Sequence, residues 1–191
     1  MSVRVDVTPN AKLFSFDTGH QLAIYKDSDA NGAFLRMVTA EYGISSDTRI
    51  AMPDSVPADR LSEVLSVFLS KVDETVATNC LKSLRDVLKQ NPVIQALIAN
   101  TGGPRQPTPF ARVIEREGQT GLLLKNTVNN VDSLVLVTDQ GNAVLPCSTV
   151  ASQKVGFENP EILLANPNVP AVMTDFFAER KPAVRGPRLG R

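Results

Sequence analysis

Side chains that carry out chemistry are scarce in this sequence of 191 residues. It contains one histidine (His20), two cysteines (Cys80 and Cys147) and no tryptophan. A zinc site built from Cys and His alone needs four ligands, and these residues supply three. A Ser or Thr nucleophile that relies on a histidine base has only His20 to use. The sequence therefore predicts neither a bound metal nor a cofactor, and we do not expect an enzyme.

Asp17-Thr18-Gly19 is the triplet that aspartic proteases use. Their chemistry needs two carboxylates that share one proton, and this chain contains the triplet once. The second carboxylate would have to come from a second copy of the chain. Retropepsin-like enzymes place a small residue after the triplet, whereas His20 follows it here. We expect a hairpin turn at residues 17–20, with a dimeric aspartic-type hydrolase as the less favoured alternative.

The segment from Asp27 to Gly32 resembles the first half of an EF-hand calcium loop. Its oxygen-bearing side chains stand at positions 1, 3 and 5, and a glycine stands at position 6. The twelfth position, which should be a bidentate glutamate, is Val38, and the preceding segment has the pattern of a strand. We expect Asn31 to cap a following helix. Weak calcium binding at Asp27–Asn31 is left open.

The last twelve residues carry five positive charges and no acid. These are Arg180, Lys181, Arg185, Arg188 and Arg191. The rest of the chain holds 15 basic and 20 acidic side chains, so an acidic body of net charge −5 is joined to a basic arm. Prolines and glycines keep the arm from forming a helix or strand. We expect the arm to contact a neighbouring copy or the phosphates of nucleic acid.

The first 50 residues predict a β-hairpin followed by a helix. Val3, Val5 and Val7 alternate with polar residues, and apolar runs flank the turn at 17–20. After a second turn at 27–32, four residues recur at helical spacing: Phe34, Met37, Val38 and Tyr42. Gly43 is placed to end that helix.

Residues from about 55 to 100 predict a central helical layer. Pro57 sits in a first turn, and an apolar stripe follows at Leu61, Val64, Leu65, Phe68, Leu69 and Val72. Weak helix formers near Asp73 predict a kink or a short break. Asn91-Pro92 forces a boundary, and Gly102-Gly103 ends the last helix. The stripe is long enough to need a partner layer.

The period of the apolar residues changes to two after the linker at 104–109. Strands are predicted at 110–115, 121–125, 134–138 and 143–147. Two short helices follow, around 160–165 and 170–179. The fold class is α+β: an N-terminal β-hairpin, the helical layer, a C-terminal antiparallel β-meander and an extended arm. We divide the chain into a compact domain (1–150), a loosely packed extension (151–179) and the arm (180–191), without an internal repeat.

The composition is that of a globular protein in a reducing compartment. Apolar residues make up 42% of the chain, enough to bury a core. No secretory signal opens the sequence, and no apolar run approaches the length of a membrane span. Two thiols in a chain of this size are more often small buried hydrophobes than a disulfide, although a disulfide is not excluded. We expect a cytoplasmic protein, or one within a particle assembled in the cytoplasm, and not a secreted one.

These features together favour a structural subunit that self-associates, such as a coat, capsid or other particle protein. They include the missing catalytic set, the charged arm and the proline-rich C-terminal third. The alternative is a non-specific nucleic-acid-binding protein, such as an RNA-binding one. Two tyrosines and no tryptophan offer few stacking platforms, so we do not expect sequence-specific reading of bases.

Overall fold

The computed structural model describes residues 2–50, 55–103 and 105–178, which fold into four layers. Two antiparallel sheets pack face to face, and helices cover the outer face of each. The α+β class, the N-terminal hairpin and the C-terminal meander predicted from the sequence are confirmed.

The N-terminal half forms one sheet and one helical layer. The N-terminal sheet holds β1 (Val3–Thr8), β2 (Ala11–Phe16), β3 (Gln21–Asp29), β4 (Gly32–Glu41) and β5 (Ile44–Ile50), paired in chain order. A short 3-10 turn (Ala58–Arg60) leads into α1 (Leu61–Ser70), α2 (Glu74–Lys89) and α3 (Pro92–Thr101). The predicted break near Asp73 exists, because the Asp73 carboxylate caps α2 by accepting from Val76 N–H.

The C-terminal half repeats this plan. The C-terminal sheet holds β6 (Ala111–Arg116), β7 (Gln119–Val128), β8 (Val131–Thr138) and β9 (Gly141–Pro146). It is followed by α4 (Val150–Glu158), a 3-10 helix (Pro160–Ala165) and α5 (Ala171–Phe177). Helices of each half pack on the outer face of their own sheet. The two halves thus share a plan that no repeat in the sequence reveals.

The central core lies between the two sheets. Leu13, Tyr25 and Val38 of the N-terminal sheet meet Leu122 and Leu124 of the C-terminal sheet, and all five are at most 1% exposed. Gln21 also joins the sheets. Its Oε1 accepts from Phe110 N–H (3.0 Å) and Ala111 N–H (3.2 Å), and its Nε2 donates to Ala111 O (2.9 Å).

The apolar stripe of the central helices packs on the chain's own N-terminal sheet. Leu65 and Leu69 of α1 and Leu81 of α2 are buried against side chains of β2, β3 and β4. The partner layer that the stripe requires is therefore internal, and the stripe gives no support to self-association.

The predicted helix from Phe34 to Tyr42 is wrong, because this segment is strand β4. Met37 faces the helices and Val38 faces the C-terminal sheet. A central strand that is covered on both faces carries apolar residues on both, and their spacing then imitates a helix. For the same reason Asn31 caps no helix: Ala30 and Asn31 form a two-residue turn, and Gly32 follows with a φ of +118°.

The segment after residue 150 contributes apolar side chains to the core of the C-terminal half. Phe157, Leu163, Met173, Phe176 and Phe177 are all buried against the outer face of the C-terminal sheet. Helix α4 is an element that the sequence analysis missed. The sequence does contain a local signal for the start of this helix, because Thr149 and Ser152 form a capping box there.

Phe177→Ala tests whether the extension belongs to the core. The ring is 1% exposed, so its removal should lower the free energy of unfolding by about 3–5 kcal/mol. Val155→Ala is the control from the same segment, because Val155 is 46% exposed and should change stability by about 0.5 kcal/mol or less. Urea denaturation measures both. Equal small effects would show that the extension is loosely packed.

Candidate functional site

The outer edge of β1 is a site that the fold leaves open. β1 pairs with β2 on one side, with Val5 opposite Phe14. Asp17 N–H donates to Ser2 O (3.0 Å), whereas Phe16 N–H, opposite Val3, turns away and donates to His20 O (2.9 Å). Hydrogen bonds alternate along an antiparallel ladder. Even-numbered residues of β1 therefore bond to β2, and odd-numbered residues direct their N–H and C=O groups outward.

The outward backbone groups belong to Val3, Val5 and Val7. No other part of the chain that the structure describes forms a hydrogen bond with them. The valine side chains lie on the helix-facing side of the sheet, and Val5 and Val7 are 41% and 63% exposed. They are exposed because α1 and α2 pack mainly over β3, β4 and β5. The edge thus offers both backbone groups and apolar surface.

The opposite face of β1 carries a pair of opposite charges. Arg4 Nε lies 3.3 Å from Asp6 Oδ2, and the Arg4 side chain is exposed. The two residues are two apart on one strand, so their side chains share a face. The resulting pattern, Val-Arg-Val-Asp-Val, is apolar on one face and charged on the other.

Each of the other sheet edges carries at least one feature that hinders pairing with another strand. At β5, Ser45 Oγ accepts from Thr127 N–H (3.1 Å), and Asp47 Oδ2 accepts from Asn126 Nδ2 (3.2 Å). At β6, Gln21 takes both backbone groups of Ala111. Strand β9 ends in Pro146, which has no N–H to offer. Such devices protect a sheet edge from pairing with another chain.

His20 lies in a buried array of polar contacts. Its Nδ1 is 2.9 Å from Thr18 Oγ1, its Nε2 is 3.1 Å from Glu41 Oε1, and Glu41 also binds Arg85 Nε (2.5 Å). A neutral imidazole fits these contacts by accepting from Thr18 and donating to Glu41. A cavity of about 10 Å³ beside Glu41 has room for about one water molecule.

Burial lowers the pKa of His20, and the charge of Arg85 adds to that effect. Glu41 opposes it through its charge and its hydrogen bond, while Lys89 contributes weakly in the lowering direction. The array therefore favours the neutral form of the only histidine.

The carboxylates of the Asp-Thr-Gly triplet and of the calcium-loop-like segment form hydrogen bonds and ion pairs within the fold. Asp17 is exposed in the predicted hairpin turn, and its Oδ2 accepts from Ser2 N–H (3.0 Å). Asp27 binds Arg36 (2.9 Å), and Asp29 binds Arg49 (2.5 Å). Within residues 2–50, 55–103 and 105–178, no group of three His, Cys, Asp or Glu side chains is placed to hold a metal ion.

Cys80 and Cys147 are both half-buried free thiols. Burial is the main cause that raises the pKa of each. A raised pKa keeps a thiol protonated and therefore a poor nucleophile.

Three cations line a cavity of about 180 Å³ between the end of β4 and helix α4. They are Arg105, Lys125 and Lys154, and Asp132 is the one carboxylate among the lining residues. Arg105 lies over the Tyr42 ring. Burial lowers the pKa of Lys125, with Glu158 opposing this effect and Lys154 adding to it. Such a cavity can receive a small anionic group.

The five cations of the predicted arm, Arg180, Lys181, Arg185, Arg188 and Arg191, lie outside the described residues. Pro104 of the predicted linker lies outside them as well, and residues 105–110 form no regular secondary structure. The arm therefore stays a prediction from the sequence.

No family model matches the chain, and a search of curated proteins finds no significant match. In the ranges that the structure describes, none of the helices has the length and apolarity needed to cross a membrane.

His20→Gln tests the electrostatic account of the buried array. Because the folded-state pKa of His20 lies below its unfolded value of about 6.5, the unfolded chain binds the proton more readily. Wild-type stability should therefore fall as pH drops from about 7 to 5.5. The variant should lose less stability over this interval. Urea midpoints at three pH values measure the difference, and parallel pH profiles would contradict the assignment.

Proposed function

We propose that this chain is a self-associating structural subunit, of the kind that builds a coat, capsid or other particle. The observation that carries the proposal is the open edge of β1. An unpaired strand with free backbone groups is a ready template for another strand. Exposed Val5 and Val7 add apolar surface that pairing would remove from water.

The contrast among the sheet edges supports this proposal. Gln21 takes outward backbone groups of β6, side chains of β5 bond to the other sheet, and β9 ends in a proline. In the described residues, β1 has none of these features. The acidic body and the basic arm supply a second complementary pair of surfaces. An arm that reaches a neighbouring copy would extend an assembly beyond a closed dimer.

The hydrolase alternative has less support. The Asp17 carboxylate is engaged by Ser2 N–H, and an aspartic site requires a second carboxylate within about 3 Å. The Thr18–His20–Glu41 array resembles a nucleophile, base and acid in its order of contacts. However, its acid is also bound by Arg85, and the side chains of His20 and Glu41 are both buried, an arrangement that suits a structural role.

The first test of the proposal is the mass of the full chain by light scattering across a concentration series. Self-association predicts a mass above the 20.6 kDa monomer that rises with concentration. A monomer at every concentration would overturn the proposal. Absorbance at 260 nm, recorded over the same peak, reports bound nucleic acid.

The arm has its own test within that assay. Replacing Arg180, Lys181, Arg185, Arg188 and Arg191 with Gln keeps the chain length and removes the charge. If the arm binds an acidic neighbour, the largest species should be lost, and removal of residues 180–191 should have the same effect. If both variants assemble like wild type, the arm has no part in assembly.

Non-specific nucleic-acid binding is the second candidate, and the cationic cavity is the observation that favours it. A phosphate group could be held by Arg105, Lys125 and Lys154, with the arm adding contacts along the backbone.

Arg105→Ala and Lys154→Ala should each weaken binding of a labelled 20-nucleotide RNA. Each should also reduce the slope of log affinity against log salt by about one or slightly less. Lys82→Ala, in the opposite helical layer, is the control and should leave the slope unchanged. Fluorescence anisotropy at several salt concentrations measures these slopes. A flat salt response of the wild type would exclude this function.

A further inference from the structure

We infer that β1 pairs antiparallel with β1 of a second copy, with Val5 opposite Val5. This inference rests on the proposed self-association and names its contact. In this arrangement Val3 of each copy lies opposite Val7 of the other, and Arg4 lies opposite the second copy's Asp6. The result is one continuous sheet built from the five-stranded sheets of two copies.

The direction of the backbone groups permits this pairing. The N–H and C=O groups of Val3, Val5 and Val7 all point away from β2, as the contacts of Phe16 and Asp17 establish. When two such strands run antiparallel with Val5 at the centre, each odd-numbered residue faces an odd-numbered residue. Every outward N–H then meets an outward C=O.

The charges select the register. In the proposed pairing, Arg4 and Asp6 of one copy face Asp6 and Arg4 of the other, and directly opposite charges stabilise a strand pair. A slip of two residues preserves the alternation of hydrogen bonds. However, it places Arg4 opposite Arg4 in one direction and Asp6 opposite Asp6 in the other. Both slips also leave fewer of the outward groups paired.

The same register also brings the apolar side chains of the two copies into contact. Val3, Val5 and Val7 of both copies form a continuous stripe on the helix-facing side of the joined sheet. Cross-strand contacts within this stripe remove from water part of the surface of Val5 and Val7, which are 41% and 63% exposed in a single copy. The contact is isologous, because the same residues act on both sides, and it closes as a dimer.

The geometry of this dimer separates it from an aspartic-type active site. Asp17 is bound to Ser2, and Ser2 stands opposite Thr8 of the second copy. The two Ser2 residues are therefore six strand positions apart, which is about 20 Å. The pairing holds the two Asp17 carboxylates far beyond the distance at which they could share a proton.

The decisive experiment exchanges the charges. Arg4→Asp alone places two acids opposite two acids, and Asp6→Arg alone places two bases opposite two bases. Each should weaken the dimer by about 5- to 30-fold in Kd, as judged from cross-strand pair energies. The double variant Arg4→Asp/Asp6→Arg restores opposite charges and should dimerise within about threefold of wild type. Sedimentation velocity measures each Kd.

Mixing the two single variants gives an internal control for folding. In the mixed dimer, the two acids on β1 of the Arg4→Asp chain would face the two bases on β1 of the Asp6→Arg chain. Heterodimers should therefore form where neither variant dimerises well alone. Variants that had failed to fold would not recover on mixing.

Val5→Pro tests the backbone contribution. Its N–H points outward, so the proline removes no hydrogen bond of the fold and should abolish dimerisation. Val144→Pro is the matched control, because Val144 lies in the edge strand β9 with its N–H also outward. The Val144→Pro variant should still dimerise. Urea midpoints establish that both variants fold.

The outcomes distinguish this register from the broader proposal. A wild type that is monomeric throughout overturns self-association itself. A dimer that is unaffected by Val5→Pro and by the charge exchanges overturns the β1 contact and leaves self-association in place. A dimer that Val5→Pro disrupts, but that the double exchange does not restore, shows that β1 pairs in another register.

Discussion

Packing of the two sheets against each other is the interaction on which the rest of the structure depends. It buries Tyr25 in one cluster with Leu13 and the leucines of β7. Burial raises the pKa of the Tyr25 phenol far above its ordinary value, so the group stays neutral in the core. Because the inner faces are occupied by this contact, each outer face must find its own cover. Helices from the same half of the chain supply that cover.

Because both faces of each sheet are covered in this arrangement, contact with another molecule falls mainly to the sheet edges. Two open meanders present four edge strands, and an unprotected edge invites pairing. Contacts between the halves lie along two of these edges: Asn126 bonds to a side chain of β5, and Gln21 bonds to the backbone of β6. Strand β1 begins the chain's first hairpin at the far side of its sheet, beyond the cover of α1 and α2. Among the described residues, the outward backbone groups of β1 therefore have no hydrogen-bond partner.

The charged side chains that first suggest chemistry are used to hold the structure together. Glu41 at the end of β4 is bound by His20 and Arg85. Arg36 joins two carboxylates, Asp27 (2.9 Å) and Asp47 (3.0 Å). Buried or half-buried charges require partners of opposite sign, and a four-layer fold creates several such positions. The proposed function therefore rests on backbone groups and a charge pattern instead of a catalytic set.

The sequence by itself determined the features that depend on local order. These were the alternation of β1, the turn at 17–20, the break at Asp73, the C-terminal strands and the charge of the arm. Tertiary structure decided the features that depend on which distant segments cover a strand or a side chain. It made a strand of 32–41, because both faces of β4 are covered. It packed Phe177 into a core and left β1 open. A single sequence records which side chains alternate, but the neighbours that cover a face or an edge come from distant parts of the chain.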